Sequence, residues 1–357
     1  MPKPPSLTPL TDDAQTKPAT TLLARLKLWA AWGLGAGLLA WLLSHTPVSQ
    51  VRDALARPGM GTWALTLGGL LLSYGLRAAR LQVVLDLDGH HRAPHRWLGL
   101  RTDALRVILM HNAAVNLLPM RAGELSFPWL ASRELQLSLP RAVACLLWMR
   151  VQDLVVLVLL GLLLWPGLDW ALRLGALASL AGAWHVGSWM LKRWLLQHAE
   201  LAGDTPSVAG QAGMPGRIGQ LLQRMRAALL EPAHHRPLAW GLTLANWSLK
   251  LAAGAFLLSA ISTAPWPTAW AGALGGELAA IVPLQGPAGF GTYEAGVWAG
   301  FAANLPPRSA ALNQAVSAAL ALHLCFLLCA VLAGASAWLM GSPQPVSPQP
   351  GTPPAAG

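Results

Sequence analysis

Long apolar runs separated by short polar stretches dominate this chain, and two of the runs break in the middle. Uninterrupted runs lie at about 28–44, 62–85, 142–165, 174–191, 238–262 and 311–339. Each is long enough for a helix to cross a hydrocarbon layer about 30 Å thick. The pattern changes in "NAAVNLLPMRAGE" (112–124), where a run that starts near 107 stops at Pro119 and resumes after Glu124 to about 132. It changes again at Pro283, where "PLQGPAGFGTYE" separates runs at 268–282 and 295–305. Each arm of these regions is half a span. A broken helix frees backbone groups that lipid cannot satisfy, so such breaks are tolerated only beside protein or a watery cavity. The expected fold is an all-α polytopic membrane protein with about eight hydrophobic segments: about six full spans and two re-entrant helical hairpins.

Charge sets the expected orientation. Arg25 and Lys27 precede the first run, Arg92, Arg96 and Arg101 follow the second, and the loop 192–236 holds Lys192, Arg193, Arg217, Arg224, Arg226 and Arg236. Basic loops stay in the cytoplasm. If 107–132 crossed completely, the 192–236 loop would face outwards, so this segment must leave and re-enter on the inner side. The N- and C-termini are then both cytoplasmic, in a membrane of the bacterial inner type. Within the loop, "GRIGQLLQRMRAALL" (216–230) has the spacing of a surface-lying amphipathic helix. Only Arg308 flanks the second hairpin, so charge does not fix its direction. Span, hairpin, span over 62–165 is echoed by span, hairpin, span over 238–339, the pattern of inverted-topology repeats.

Composition narrows the class further. Hydrophobic residues make up 54% of the 357 positions and charged residues 11%, which leaves no room for a soluble catalytic domain. The net charge of +10 fits contact with anionic headgroups and not with nucleic acid. Residues 1–24 and the Pro-rich 341–357 are expected to be disordered tails around one membrane domain, 25–340. Cys145, Cys325 and Cys329 lie in apolar runs as packing residues. His90, His91 and His95 lack the carboxylate or thiolate partners of a metal site, and the glycines near 289 lack the Lys-Ser/Thr of a nucleotide loop. No metal, cofactor or catalytic residue is assigned.

The candidate chemistry is therefore charge inside the membrane. At 1.5 Å per residue, Arg150, Asp153, Lys250 and Glu277 fall roughly 13–18 Å deep, where an ionised side chain is costly and marks function by default. Arg121, Glu124 and Glu294 stand beside the breaks. Arg77 and Arg80 share a helix face, either to clamp a lipid phosphate or to anchor at the inner leaflet. Arg150 and Asp153, at i and i+3, could form a structural pair. Arg121 is the expected phosphate ligand, held by Glu124 and Glu294 while the site is empty. Gly286, Gly289 and Gly291 allow exposed amides at the second break.

In order along the chain, "LRAARLQVVL" (76–85), "NLLPMRAGELSFPWL" (116–130), "WMRVQDLVVLVLL" (148–160) and "VPLQGPAGFGTYEAG" (282–296) resemble the membrane region of the lysylphosphatidylglycerol synthase family, also described as flippase-like or UPF0104-type proteins. The resemblance spans about 25–340. It points to Arg77, Arg80, Asn116, Pro119, Arg121, Gly123, Glu124, Arg150, Asp153, Pro283, Gly286, Gly289, Gly291 and Glu294. Gln285 and Pro287 depart from the family's second break, and Met149 stands where an acidic residue is expected. No counterpart of the soluble aminoacyl-transferase domain is found in the chain. The resemblance thus implies the membrane half of the activity: translocation of a phospholipid, polyprenyl phosphate or glycolipid with an anionic headgroup between leaflets. Arg77, Arg80, Asn116, Arg121, Glu124, Lys250, Glu277 and Glu294 would contact it. A membrane-embedded lipid-modifying transferase is the second reading, and a structural or partner-binding protein, with a membrane partner or a second copy, the third.

Overall fold

The computed structural model describes residues 47–87, 96–118, 123–200, 231–281 and 287–341, with isolated positions 37, 44, 224 and 228. Apart from those isolated positions and Gly341, the first apolar run, the surface helix at 216–230 and both tails lie outside the described residues, as do the histidines at 90–95, Pro119, Arg121, Pro283 and Gly286.

The described residues form ten α-helices and a two-residue hairpin of strands. A short helix α1 (Val48–Ala56) leads to α2 (Met60–Leu85); β1 (Arg96–Trp97) pairs antiparallel with β2 (Leu100–Arg101). The first hairpin is α3 (Thr102–Leu117) and α4 (Ser126–Glu134), followed by α5 (Leu139–Leu164) and α6 (Trp170–Glu200). After α7 (Pro237–Ser262) comes the second hairpin, α8 (Trp266–Ala279) and α9 (Thr292–Ala302), and then α10 (Ala310–Leu339). The fold is all-α, as expected. Helices α5, α7 and α10 are long and apolar enough to cross a membrane, whereas the arms of the hairpins have 16, 9, 14 and 11 residues. Two boundaries differ from the expectation: α3 starts five residues before 107, at β2, and α6 continues to Glu200 inside the expected loop.

Local chemistry explains the ends. Leu118 precedes a proline and is extended, because the ring of a following proline disfavours the helical conformation. Asp86 ends α2 in the left-handed region at φ 50°, and its N–H bonds Gln82 and Val83 carbonyls. Pro140 and Pro237 sit in first turns, where their missing N–H costs nothing. Ser309 caps α10, its hydroxyl accepting from the Leu312 amide at 3.3 Å.

Packing follows residue size. Helix α10 is buried through Ala315, Ala318, Ala319, Ala321 and Ala333, and this small face lets it sit against α3, α7 and α9 together. Between α8 and α9 the approach is closer still. A side chain at Gly275 would overlap the backbone of Gly296, and the reverse holds as well. Arg106 of α3 bonds Glu134 at the end of α4 (3.0 Å) and the Ala337 carbonyl of α10 (3.1 Å), fastening the first hairpin to its neighbour. Leu147, Val151 and Leu154 of α5 and Leu324, Leu328 and Val331 of α10 are exposed, as befits surfaces that meet lipid. The three cysteines are buried and free.

The neighbour relations repeat. Helix α2 touches α3 as α7 touches α8, α3 touches α4 as α8 touches α9, and α4 touches α5 as α9 touches α10. Across the halves, α3 meets α10 as α8 meets α5, α2 meets α10 as α7 meets α5, and α2 meets α7. The segments 60–164 and 237–339 thus share one order of helix neighbours.

Candidate functional site

Both hairpin tips open on one cavity of about 580 Å³, walled by α2, α3, α5, α7 and α10. Its charged groups belong to two pairing schemes, one in each half.

In the first half, Asp153 of α5 is the hub. Its carboxylate accepts from Arg80 of α2 (2.6 Å), from Arg150 one turn away (3.1 Å) and from the Trp247 indole of α7 (2.9 Å). Arg150 reaches on to the first tip, where its Nη2 lies 2.7 and 2.8 Å from the two oxygens of Glu124. Removing either partner of the buried Arg80–Asp153 pair strands a charge. His111 of α3 stands behind. Ser126 donates to the Gly123 carbonyl (2.6 Å), so its oxygen is free to accept from His111 Nδ1 (3.1 Å). That leaves the lone pair of His111 Nε2 facing Arg150 at 3.5 Å, so His111 is held as a neutral ring. Gly123 allows the tip to lie on α3, since a side chain there would overlap the Ala114 backbone.

The second half is arranged differently. Lys250 of α7 pairs with Glu277 of α8 at 2.6 Å and lies over the rings of Trp247 and Phe326. Glu294 of α9 is fully buried; it accepts from the Gly291 amide (2.7 Å), capping its own helix, and meets His323 of α10 at 2.6 Å.

Arg77 is the exception. Its Nη1 donates to Asn112 Oδ1 (2.8 Å), its Nε to Asn246 Oδ1 (3.3 Å), and the guanidinium lies 5.4 Å from the Trp247 ring centroid. All three partners are neutral. Among the described residues no carboxylate stands within ion-pair distance of it. The four cations Arg77, Arg80, Arg150 and Lys250 thus meet three carboxylates, Asp153, Glu124 and Glu277, and the surplus charge resides on a cavity wall.

The structure brings Arg77, Asn116, Glu124, Arg150, Asp153, Lys250, Glu277 and Gly289 onto one cavity, and places Arg80 and Glu294 directly behind its lining. The expected Arg150–Asp153 pair is present but is one edge of a larger network. Arg150 holds Glu124 and His323 faces Glu294, while the expected clasp of these carboxylates on Arg121 lies outside the described residues. Sequence reasoning passed over Asn112, Trp247, His111 and His323. A histidine inside an apolar run was the available signal for the last two.

The family described as the lysylphosphatidylglycerol synthase TM region matches residues 28–334. The chain belongs to this family: it is a membrane protein, and its function concerns membrane lipid. No curated protein matches the chain.

Proposed function

We propose that the protein moves a lipid with an anionic, phosphate-bearing headgroup between the leaflets of a bacterial-type inner membrane, and that the cavity between the hairpins holds the headgroup in transit. The observation that supports this most directly is Arg77, a permanently charged group on the cavity wall with amide partners and no described carboxylate. A guanidinium can offer a phosphate two parallel donors, and the amides that now occupy those donors are weaker competitors than a carboxylate would be. Asn116, also on the wall, donates to the Asn112 carbonyl and keeps its side-chain oxygen for a hydroxyl of the headgroup. Wall residues Leu146, Leu147 and Val151 give the acyl chains an apolar side on which to remain.

The arrangement favours binding over covalent transfer. Glu124, Asp153 and Glu277 each accept from a cation, which makes them weaker general bases. Arg121, at the first tip by sequence, is a second expected phosphate ligand.

The test is leaflet-resolved movement of fluorescent phosphatidylglycerol in proteoliposomes with matched amounts of protein. Arg77→Gln should lower movement about tenfold or more, the scale of one lost charge-assisted hydrogen bond. Arg77→Lys should fall between, because the charge remains and the planar fork is lost. Wild-type movement in Arg77→Gln would refute the assignment.

A further inference from the structure

His323 has both ring nitrogens engaged, and the engagement fixes how many hydrogens the site must hold. Nε2 lies 2.9 Å from the Ala288 carbonyl oxygen. A carbonyl oxygen only accepts, so Nε2 carries a hydrogen. Nδ1 lies 2.6 Å from Glu294 Oε1, a distance that needs a second hydrogen between the two atoms, on the ring or on the carboxyl. A neutral imidazole and an ionised carboxylate bring one hydrogen between them. The two contacts together call for two, one more than that pair brings.

Loss of that proton has a defined structural consequence. The remaining hydrogen stays between Nδ1 and Glu294, where its absence would set a lone pair against a carboxylate. Nε2 then presents a lone pair to the Ala288 carbonyl, and that contact turns from attraction to repulsion. Ala288 is the tip of the second hairpin. It sits in the left-handed region at φ 52° without being glycine, and Gly289 and Gly291 follow at φ 84°. A backbone held there against its preference relaxes when its tether goes. Ala288, Gly289 and His323 all line the headgroup cavity, so the tip's position shapes that space.

The geometry points to a proton-binding site made by His323 and Glu294 that latches the second hairpin tip while occupied, and, resting on the translocation reading above, this proton is the ion coupled to headgroup passage. Phe290 and Tyr293 flank the imidazole, with ring centroids 4.5 and 5.2 Å away. From α8 and α7 come Glu277 and Lys250, which neutralise each other; α2 contributes Arg77 to the shared cavity, and α5 and the first tip contribute Arg150, Asp153 and Glu124, tied together. On α3, His111 faces Arg150 and Arg106 faces Glu134; on α10 itself Cys325 is two positions on. Arg57, just past the end of α1, bonds the Ile261 carbonyl and Gln314.

The experiment is amide hydrogen exchange on the full chain in phosphatidylglycerol–phosphatidylethanolamine nanodiscs, from about pH 5 to about pH 8, where a histidine-based site changes charge. After correction for intrinsic rates, amides of 287–292 should open about tenfold as the pH rises, the scale of one lost hydrogen bond from a charged donor. In His323→Gln the amide group keeps a donor for Ala288 at every pH, so the step should vanish; Glu294→Gln, which still accepts from Gly291, should abolish it independently. The same step in both variants, or none in the wild type, overturns the latch. In proteoliposomes, wild-type phosphatidylglycerol movement should follow an imposed pH gradient, and His323→Gln should move lipid without that dependence. Gradient-independent wild-type movement overturns the coupling and leaves the translocation reading intact. A wild-type opening step without any lipid movement supports the latch and refutes the translocation reading instead.

Discussion

The two hairpins solve one problem with different chemistry. Each places a glutamate just after its break and sets it against a basic residue of the following span: Glu124 against Arg150, Glu294 against His323. Each also sets a cation of the preceding span against its first arm: Arg77 against Asn112, Lys250 against Glu277. In the first half the base is a guanidinium and the arm's partner is neutral, so a positive charge is left over. In the second half the arm is neutralised and the base is an imidazole. On the two proposals above, the first half holds the anion and the second responds to a proton. Asp153 adds to the asymmetry. Three positions beyond Arg150 the first half has this carboxylate, whereas three positions beyond His323 the second has Phe326, under the Lys250 ammonium.

The largest effect should come from that difference. Asp153→Ala removes the acceptor of Arg80 and half of the neutralisation of Arg150, and should cost about 3–5 kcal/mol in stability, since breaking a buried pair leaves charge uncompensated. Folded yield by size-exclusion chromatography should collapse. Phe326→Leu, at the corresponding site, keeps an apolar side chain of similar size and should leave most of the yield. Equal losses would mean that the first half's network is no more demanding than the second's packing.

How much of this was legible in the sequence depends on separation along the chain. The breaks were visible because proline and glycine act locally: Leu118 before Pro119 is extended, and Gly291 caps α9. Arg150 and Asp153 were visible as a pair because helical periodicity brings i and i+3 together. Periodicity says nothing of the link between Arg80 and Asp153 across 73 positions, or between Arg150 and Glu124 across 26. Those depend on how helices are placed against one another. His111 and His323 were missed for the same reason: each lies in an apolar run, and its role comes from partners 15 and 29 positions away.

The next effect guards the comparison against a false positive. His234, in the turn before α7, is fully buried beneath Trp148, whose indole bonds the His234 carbonyl at 2.7 Å. Burial pushes its imidazole down to about 4 from 6.5, only partly offset by Glu231. Because the unfolded chain takes up this proton first as the pH falls, stability is complete above about pH 6.5 and declines towards about pH 4, by at most about 3 kcal/mol. Thermal unfolding in detergent should show this decline, and His234→Asn should flatten it while leaving the second tip's opening step in place. If His234→Asn removes that step too, the pH response belongs to the whole fold and not to the second hairpin.

Smaller losses should follow from the glycines that let each hairpin close. Gly123→Ala pushes a methyl into the Ala114 backbone, and Gly296→Ala pushes one into Gly275. Backbone yields less readily than a side chain, so each should cost about 1–3 kcal/mol. Gly68→Ala meets open space and should be neutral or slightly stabilising. Melting temperatures that rank Gly68→Ala with the other two would remove close approach as a property the hairpins share.

The smallest change in stability should come from Asn112→Asp, which makes the first half copy the second. Asn112 accepts from Arg77 and donates to the Ile108 carbonyl at 2.9 Å. The substitution replaces the neutral acceptor with a carboxylate, strengthening the contact to Arg77 by about 1 kcal/mol. It also removes the donor to Ile108 and sets an oxygen against an oxygen, a loss of similar size. The two should cancel to within about 1 kcal/mol, so folding and melting should be close to wild type. The charge balance is not preserved, however: Arg77 becomes an ion pair like Lys250, and the surplus positive charge on the cavity wall disappears. Phosphatidylglycerol movement should therefore fall in a protein that is otherwise intact. Unchanged movement in well-folded Asn112→Asp would show that the neutral partner of Arg77 has no part in passage, and that the difference between the halves lies only in the tips.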